Sequence, residues 1–175
     1  DTAIGPCGLA WNSAGLIQVQ LPEASEAATE LRLGRIAGAA WSDRLPDNVS
    51  DCEDRMHAYF EGEAVAFTDI DLDMRRVNAF NAKVYTALRN VGWGETTSYG
   101  ALARQIGDPH AARAIGAAMG KNPWPLVVPC HRVLAASGKI GGFSAYGGRA
   151  TKRKMLQLEQ ADADGAAPML PGLFD

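Results

Sequence analysis

The chain has 175 residues, 47% of them apolar, and a net charge of −3, enough for one compact body or two small domains, and no apolar run approaches the roughly 20 residues of a membrane span. The segment from Asp1 lacks the basic start and apolar middle of a signal peptide, so a soluble cytoplasmic protein with no membrane partner is expected. Three widely spaced cysteines, Cys7, Cys52 and Cys130, argue against a disulfide framework and fit a reducing compartment where a free thiol can do chemistry.

Residues 4 to 21 alternate apolar and polar positions around Asn12-Ser13-Ala14-Gly15, a hairpin pattern, and Ala64 to Ile70 reads as a further strand. Helical patterns run from Ala24 to Ala40 and from Val49 to Phe60, with Pro46-Asp47 as a turn and Asp47 or Ser50 as N-cap. No chemistry is visible in this half. Cys7, Cys52 and His57 fall one short of the four ligands of a structural zinc, so no metal is expected.

Charge divides the chain. Asp1 to Ser98 holds 8 basic and 15 acidic residues, whereas Tyr99 to Asp175 holds 9 and 5, so the second half suits a polyanion. There, Asn78 to Val91 has helical periodicity and stops at Gly92-Trp93-Gly94. Thr97 or Ser98 caps a short helix from Tyr99 to Ile106, Gly107-Asp108-Pro109 turns the chain, and Ala111 to Met119 forms another helix ended by Gly120: a helix-turn-helix outline. The second helix is slim, with Arg113 as its one long cation among Ala112, Gly116, Ala117 and other small residues. Small residues permit close packing on a neighbouring helix; they also permit entry into a minor groove roughly 6 Å wide.

After Leu126-Val127-Val128 comes Pro129-Cys130-His131-Arg132-Val133, a thiol beside an imidazole. An inert buried cysteine needs no such neighbour. A free thiol, with a pKa of about 8.5, attacks only when a base or positive group makes it a thiolate, and His131 is that candidate if Pro129 breaks the preceding strand. The glycine-rich run from Gly141 to Gly148 lacks the Gly-Lys-Ser/Thr ending of a phosphate-binding loop and reads as a pocket wall. A helix from Thr151 to Gln160 turns Met155, Leu156 and Leu158 to the core and brings Glu159 within reach of His131, a nucleophile, base and carboxylate set.

From Gly94 to Gln160 the chain resembles the C-terminal domain of the O6-alkylguanine-DNA alkyltransferases, also called methylated-DNA-protein-cysteine methyltransferases, over "GETTSYGALA", "ARAIGAAMGKNP", "VPCHRV" and "GGFSAYGG". The resemblance implies an α+β fold: a small N-terminal α/β domain with an antiparallel sheet (residues 1–74), a mostly helical, winged-helix-like helix-turn-helix domain (75–160) and a flexible tail (161–175). It implies that Cys130 is the alkyl acceptor, His131 a base acting through water, Glu159 its orienting carboxylate, Asn122 a hinge that hydrogen-bonds near the thiol, and Tyr99 the residue that rotates the damaged nucleotide. It places Arg113, Ala112, Gly116, Ala117, Ser98, Lys121 and Arg132 on DNA, and Val133, Gly141, Phe143 and Ser144 around the guanine. The implied partner is double-stranded DNA carrying O6-alkylguanine, with O4-alkylthymine as a further substrate, acted on by a monomer without a cofactor. Phe143 lacks the hydroxyl of a tyrosine found there in some relatives, and the loop is longer than in some. Rival readings are a damage-binding module that transfers poorly and a Cys-His hydrolase; the second gives no reason for the helix-turn-helix. The tail's Met169 to Phe174 reads either as an apolar segment folded back on the protein or as a docking peptide for a sliding clamp.

Overall fold

Alternation in the first twenty residues produces the antiparallel hairpin: Gly8–Asn12 (β1) pairs with Gly15–Gln20 (β2), and a register shift falls between Ala10 and Trp11. The computed structural model describes residues 2–36, 40–42 and 44–163; the tail segment Met169 to Phe174 lies outside them. No helix among the described residues is long and apolar enough to cross a membrane.

Helix α1, Glu26–Leu33, is capped by Ser25, whose hydroxyl accepts from the Ala28 amide. It is shorter than the pattern from Ala24 to Ala40. Only Thr29 and Leu33 are buried on it, so no apolar face extends it past Gly34. Helix α2 spans Asp47–Phe60 and begins from Pro46, whose carbonyl accepts from the Val49 and Ser50 amides. Neither Asp47 nor Ser50 caps it; both lie inside its first turn, where Asp47 complements the helix dipole. The expected strand from Ala64 to Ile70 does not form. Arg55 takes the Ala66 carbonyl and Arg89 those of Phe67 and Ile70, so the acceptors a ladder needs are already used. Only Leu72 bridges to the hairpin, at Leu16.

The second half is built from α3 (Ala79–Leu88), α4 (Tyr99–Gln105), α5 (Ala112–Gly120) and α6 (Arg149–Leu158). Asn78 caps α3 and Ser98 caps α4, which decides between Thr97 and Ser98. Helices α4 and α5 pack as the helix-turn-helix, burying Leu102 and Ala103 with Ile115 and Ala118. Two dipeptides, Thr97–Ser98 (β3) and Val133–Leu134 (β4), form a parallel ladder that sets the start of α4 beside the Cys130 segment.

One continuous cluster of buried side chains runs through both halves, from Leu16 and Val19 through Val49, Met56 and Tyr59 to Leu88, Ile115, Trp124, Val128 and Met155. Trp124 is fully buried, donates its indole N–H to the Leu16 carbonyl at 2.9 Å, and so ties the hairpin to the segment that leads into Cys130. The Val19 amide donates to the Pro123 carbonyl at 2.8 Å beside it.

Gly15 tests this docking. Its φ is +127°, and a Cβ there would come 2.5 Å from the Asp71 carbonyl oxygen. Gly15→Ala is expected to lose about 2 kcal/mol or more in urea unfolding, combining backbone strain with a forced shift of the Asp71 backbone. Gly107→Ala, at φ +77° with open space around it, should cost only about 1 kcal/mol.

Candidate active site

The approach to the thiol is a tight turn, where a strand was expected. The Val128 amide donates to the Trp124 carbonyl at 2.7 Å, and Leu126 holds a φ of +78° that leucine rarely adopts. Asn122 brackets the turn: its Nδ2 donates to the Val128 carbonyl at 2.8 Å and its Oδ1 accepts from the Trp124 amide at 3.0 Å. The local strain is held in place by burial of Leu126 and by this bracket. Pro129 then leads into one turn of 3-10 helix, Cys130–Arg132, all three residues buried.

Glu159 reaches this turn from the far end of α6. It stands at the C-cap; Gln160 follows at φ +54°, the Ala161 amide returns to the Leu156 carbonyl and the Gln160 amide to that of Gln157. This is a Schellman ending, fixed by Ala161 packing with Leu134, Ile140 and Leu156. The carboxylate is 1% exposed and fully engaged. Oε1 accepts from His131 Nε2 at 2.7 Å, Arg132 Nη2 at 2.9 Å and the Tyr59 hydroxyl at 2.6 Å, while Oε2 accepts from Arg132 Nε at 2.9 Å. Arg132 Nη1 also donates to the Val91 carbonyl. The guanidinium of Arg132, which the resemblance places on DNA, is instead turned inward, where it balances a buried carboxylate, and the residue is 5% exposed.

Protonation follows from these contacts. Burial alone pushes the Glu159 carboxyl up, but His131 and Arg132 outweigh it and bring its pKa down to about 2. A permanent carboxylate can only accept, so Nε2 of His131 carries the proton and Nδ1 keeps its lone pair. Burial lowers the His131 pKa against the opposing pull of Glu159, with Arg132 and Lys152 adding to the lowering, so the ring is a neutral base, not the cation that would stabilise a thiolate. Nδ1 is buried without a hydrogen-bond partner in the protein. Burial raises the Cys130 pKa; the Asn122 hydrogen bond, the Lys152 charge and the Cys130 and His131 amides only partly oppose it. The resting group is a thiol.

Two residues of this site were not visible in the sequence. Tyr59 comes from α2, in the half read as lacking chemistry. Lys152, on the helix read from Thr151 to Gln160, is fully buried, donates to the Val133 carbonyl at 2.6 Å, and has its pKa lowered to about 8 by burial despite the opposing pull of Cys130. Its spacing carried a signal: 152, 155, 156 and 159 form one helical stripe, all buried.

Tyr99, at the start of α4, lies near Cys130. A Cβ on Gly116 would lie 3.9 Å from its ring and one on Gly141 3.7 Å from its hydroxyl, so Tyr99 sits between α5 and the glycine-rich loop. Burial, with the nearby Cys130, raises the Tyr99 pKa and keeps it a phenol. Phe143 packs against the core, and Ser144 is exposed. The Val133 side chain is wholly inside the core, and its carbonyl accepts from Lys152. On α5, Ile115, Ala118 and Met119 face inward, leaving Arg113 and Ala117 exposed and Ala112 and Gly116 half-buried, with Lys121 exposed just beyond. Ser98 spends its hydroxyl on the α4 cap.

Elsewhere, Cys7 and Cys52 are pushed up to about 11 and about 12, chiefly by burial, and among the described residues no three His, Cys, Asp or Glu side chains group as metal ligands. A cavity of about 610 Å³ lies between the hairpin and α2, lined by Trp11, Trp41, Met56 and His57 among others; none of the site residues above lines it.

Residues 79–161 match the family described as 6-O-methylguanine DNA methyltransferase, DNA binding domain. The methylated-DNA–protein-cysteine methyltransferase of Mycobacterium tuberculosis is 40% identical over 163 residues, 93% of this chain and 91% of that protein, and that of Mycobacterium leprae is 38% identical over 162 residues, 91% and 89%. The crystal structure of Mycobacterium tuberculosis OGT in complex with DNA superposes with a TM-score of 0.70 at 39% identity, covering 96% of this chain and 92% of that one. The O6-methylguanine-DNA methyltransferase of Pyrococcus kodakaraensis gives 0.67 at 28% identity, covering 87% and 90%.

Glu159→Gln should destabilise the protein by about 3 kcal/mol or more at pH 7, because it leaves Arg132 buried beside a neutral amide. The Glu159 pKa is depressed on folding, so its contribution is full above an ordinary value of 4.5 and fades as pH falls toward 2. Urea unfolding of both proteins from pH 7 to pH 3 should therefore show the gap between them narrowing below pH 4.5.

Proposed function

This chain belongs to the methylated-DNA–protein-cysteine methyltransferase family, and from that premise we propose that Cys130 is the acceptor through which it repairs O6-alkylguanine in double-stranded DNA. The observation that carries the assignment is the buried thiol of Cys130 preceding a neutral imidazole whose other nitrogen is fixed on an ionised carboxylate.

As a thiol, Cys130 must lose its proton for the sulfur to attack. His131 Nδ1, with its lone pair uncommitted, accepts that proton through a bridging water, and the imidazolium formed is balanced by Glu159. Cys130 Sγ forms a bond to the alkyl carbon as the carbon–O6 bond breaks, and the electron pair leaves with guanine. Tyr99, still a phenol, donates a proton to the departing purine and recovers one from solvent, while the imidazolium of His131 releases the thiol's proton to solvent. The net change moves one proton from thiol to guanine and leaves a thioether, which gives water no good leaving group. One molecule therefore repairs one lesion, without a cofactor. O4-alkylthymine presents the same electrophile and is a further substrate.

In a duplex the alkyl carbon is reached only when the nucleotide leaves the stack. The slim exposed face of α5 suits the minor groove, with Ala112, Gly116 and Ala117 allowing close approach and Arg113 filling the vacated space; Lys121 lies on the same side toward phosphate. The dependence on a reduced thiol supports a cytoplasmic setting.

Incubation with a duplex containing O6-methylguanine should add one methyl to Cys130 and restore guanine in a single turnover, read by intact and peptide mass spectrometry. Unmodified Cys130 beside a firmly bound lesion would instead indicate a damage-binding module. Arg113→Ala should slow repair of duplex at least about tenfold more than reaction with the free base. Equal losses on both substrates would remove Arg113 from nucleotide flipping.

A further inference from the structure

Tyr59 is fully buried on α2, one hundred residues before the carboxylate it meets. Its ring packs against Phe60, Phe67 and Trp93, contacts that a phenylalanine would keep. The hydroxyl is a separate matter. Arg132 already fills one site on each Glu159 oxygen and His131 a second on Oε1, so the carboxylate is ionised and paired without Tyr59. Tyr59 nevertheless donates to Oε1 at 2.6 Å, the shortest of the four bonds, and its oxygen lies 3.4 Å from His131 Nε2.

Donors that share one carboxylate oxygen compete for the same negative charge. Each one weakens the attraction of that oxygen for the proton on His131. The groups facing His131 are Tyr59 from α2, Lys152 from α6, Glu159 at the end of α6, and Cys130 and Arg132 from its own turn. Lys152 and Arg132 disfavour an imidazolium and Glu159 favours one; Tyr59 sets how strongly Glu159 does so.

We propose that Tyr59 is a positioning residue for the alkyl transfer: its hydroxyl holds Glu159 Oε1 so that His131 is oriented yet remains a neutral base, which makes the N-terminal half part of the reaction. The inference rests on the assignment of Cys130 as acceptor and His131 as base.

The test compares wild type with Tyr59→Phe in single-turnover repair of an O6-methylguanine duplex between pH 4.5 and 9. Without the hydroxyl, Oε1 pulls harder on the Nε2 proton, so the acid limb of the rate profile should move upward by roughly half a pH unit, an extra loss of up to about threefold on the acid side of that limb relative to pH 8.5. A merely structural hydroxyl would lower thermal stability and leave the limb where it is; an unshifted limb overturns the proposal. Nitrogen NMR of histidine-labelled wild type gives a second reading that does not depend on the variant folding. His131 should be neutral and protonated at Nε2 at pH 7, and an imidazolium there also overturns it. Wild type that leaves no methyl on Cys130 would remove the acceptor assignment, whereas methylated wild type with an unshifted limb removes only the role of Tyr59.

Discussion

A carboxylate sealed from water is the constraint around which this protein is organised. An ionised group in the interior is tolerated only when nearby donors replace its hydration, and Glu159 obtains them from two separate parts of the chain: Tyr59 on α2, and His131 and Arg132 on the turn before β4, all meeting it at the end of α6. Each donor fixes an element. Helix α6 must end where it does, and the Schellman closure at Gln160 and Ala161 provides that ending. The turn at Cys130–Arg132 must be 3-10, because His131 and Arg132, adjacent in sequence, both have to face one carboxylate. In an extended strand they would diverge.

The same network sets the reactivity of the thiol. Burial keeps Cys130 protonated and His131 neutral, so the pair is inert at rest and exchanges a proton only when an electrophile arrives. Such restraint suits a nucleophile that is consumed in one reaction. Lys152, the other buried cation, pins the Val133 carbonyl and lowers the cost of charge on sulfur without being adjacent to it in sequence.

Coupling between the helix-turn-helix and the chemistry runs through short backbone contacts. The β3–β4 ladder is only two residues long, yet it places Ser98 and Tyr99 alongside Val133 and Leu134, next to Cys130. Asn122 performs the corresponding task from α5, since it follows the helix directly and brackets the strained turn at Leu126. Small residues at Gly116 and Gly141 leave room for the Tyr99 ring between them.

Local chemistry was legible in the sequence. The hairpin around Ser13-Ala14, the Ser98 cap, the helix-turn-helix, the slim outward face of α5 and the Cys130-His131-Glu159 set all follow from periodicity, capping or motif, because those signals lie within a few residues or in a distinctive joint pattern. Tertiary structure decided what depends on partners distant in the chain. Arg132, placed on DNA by the resemblance, is an internal counter-ion because Glu159 arrives 27 residues later. Ala64 to Ile70 reads as a strand and loses its ladder to Arg55 and Arg89. Tyr59 is recognisable as buried from the stripe Val49, Cys52, Met56 and Tyr59, but no pattern reveals where its hydroxyl points. Periodicity records which side of an element faces the core; a hydrogen bond across 100 residues exists only once the core has closed around it.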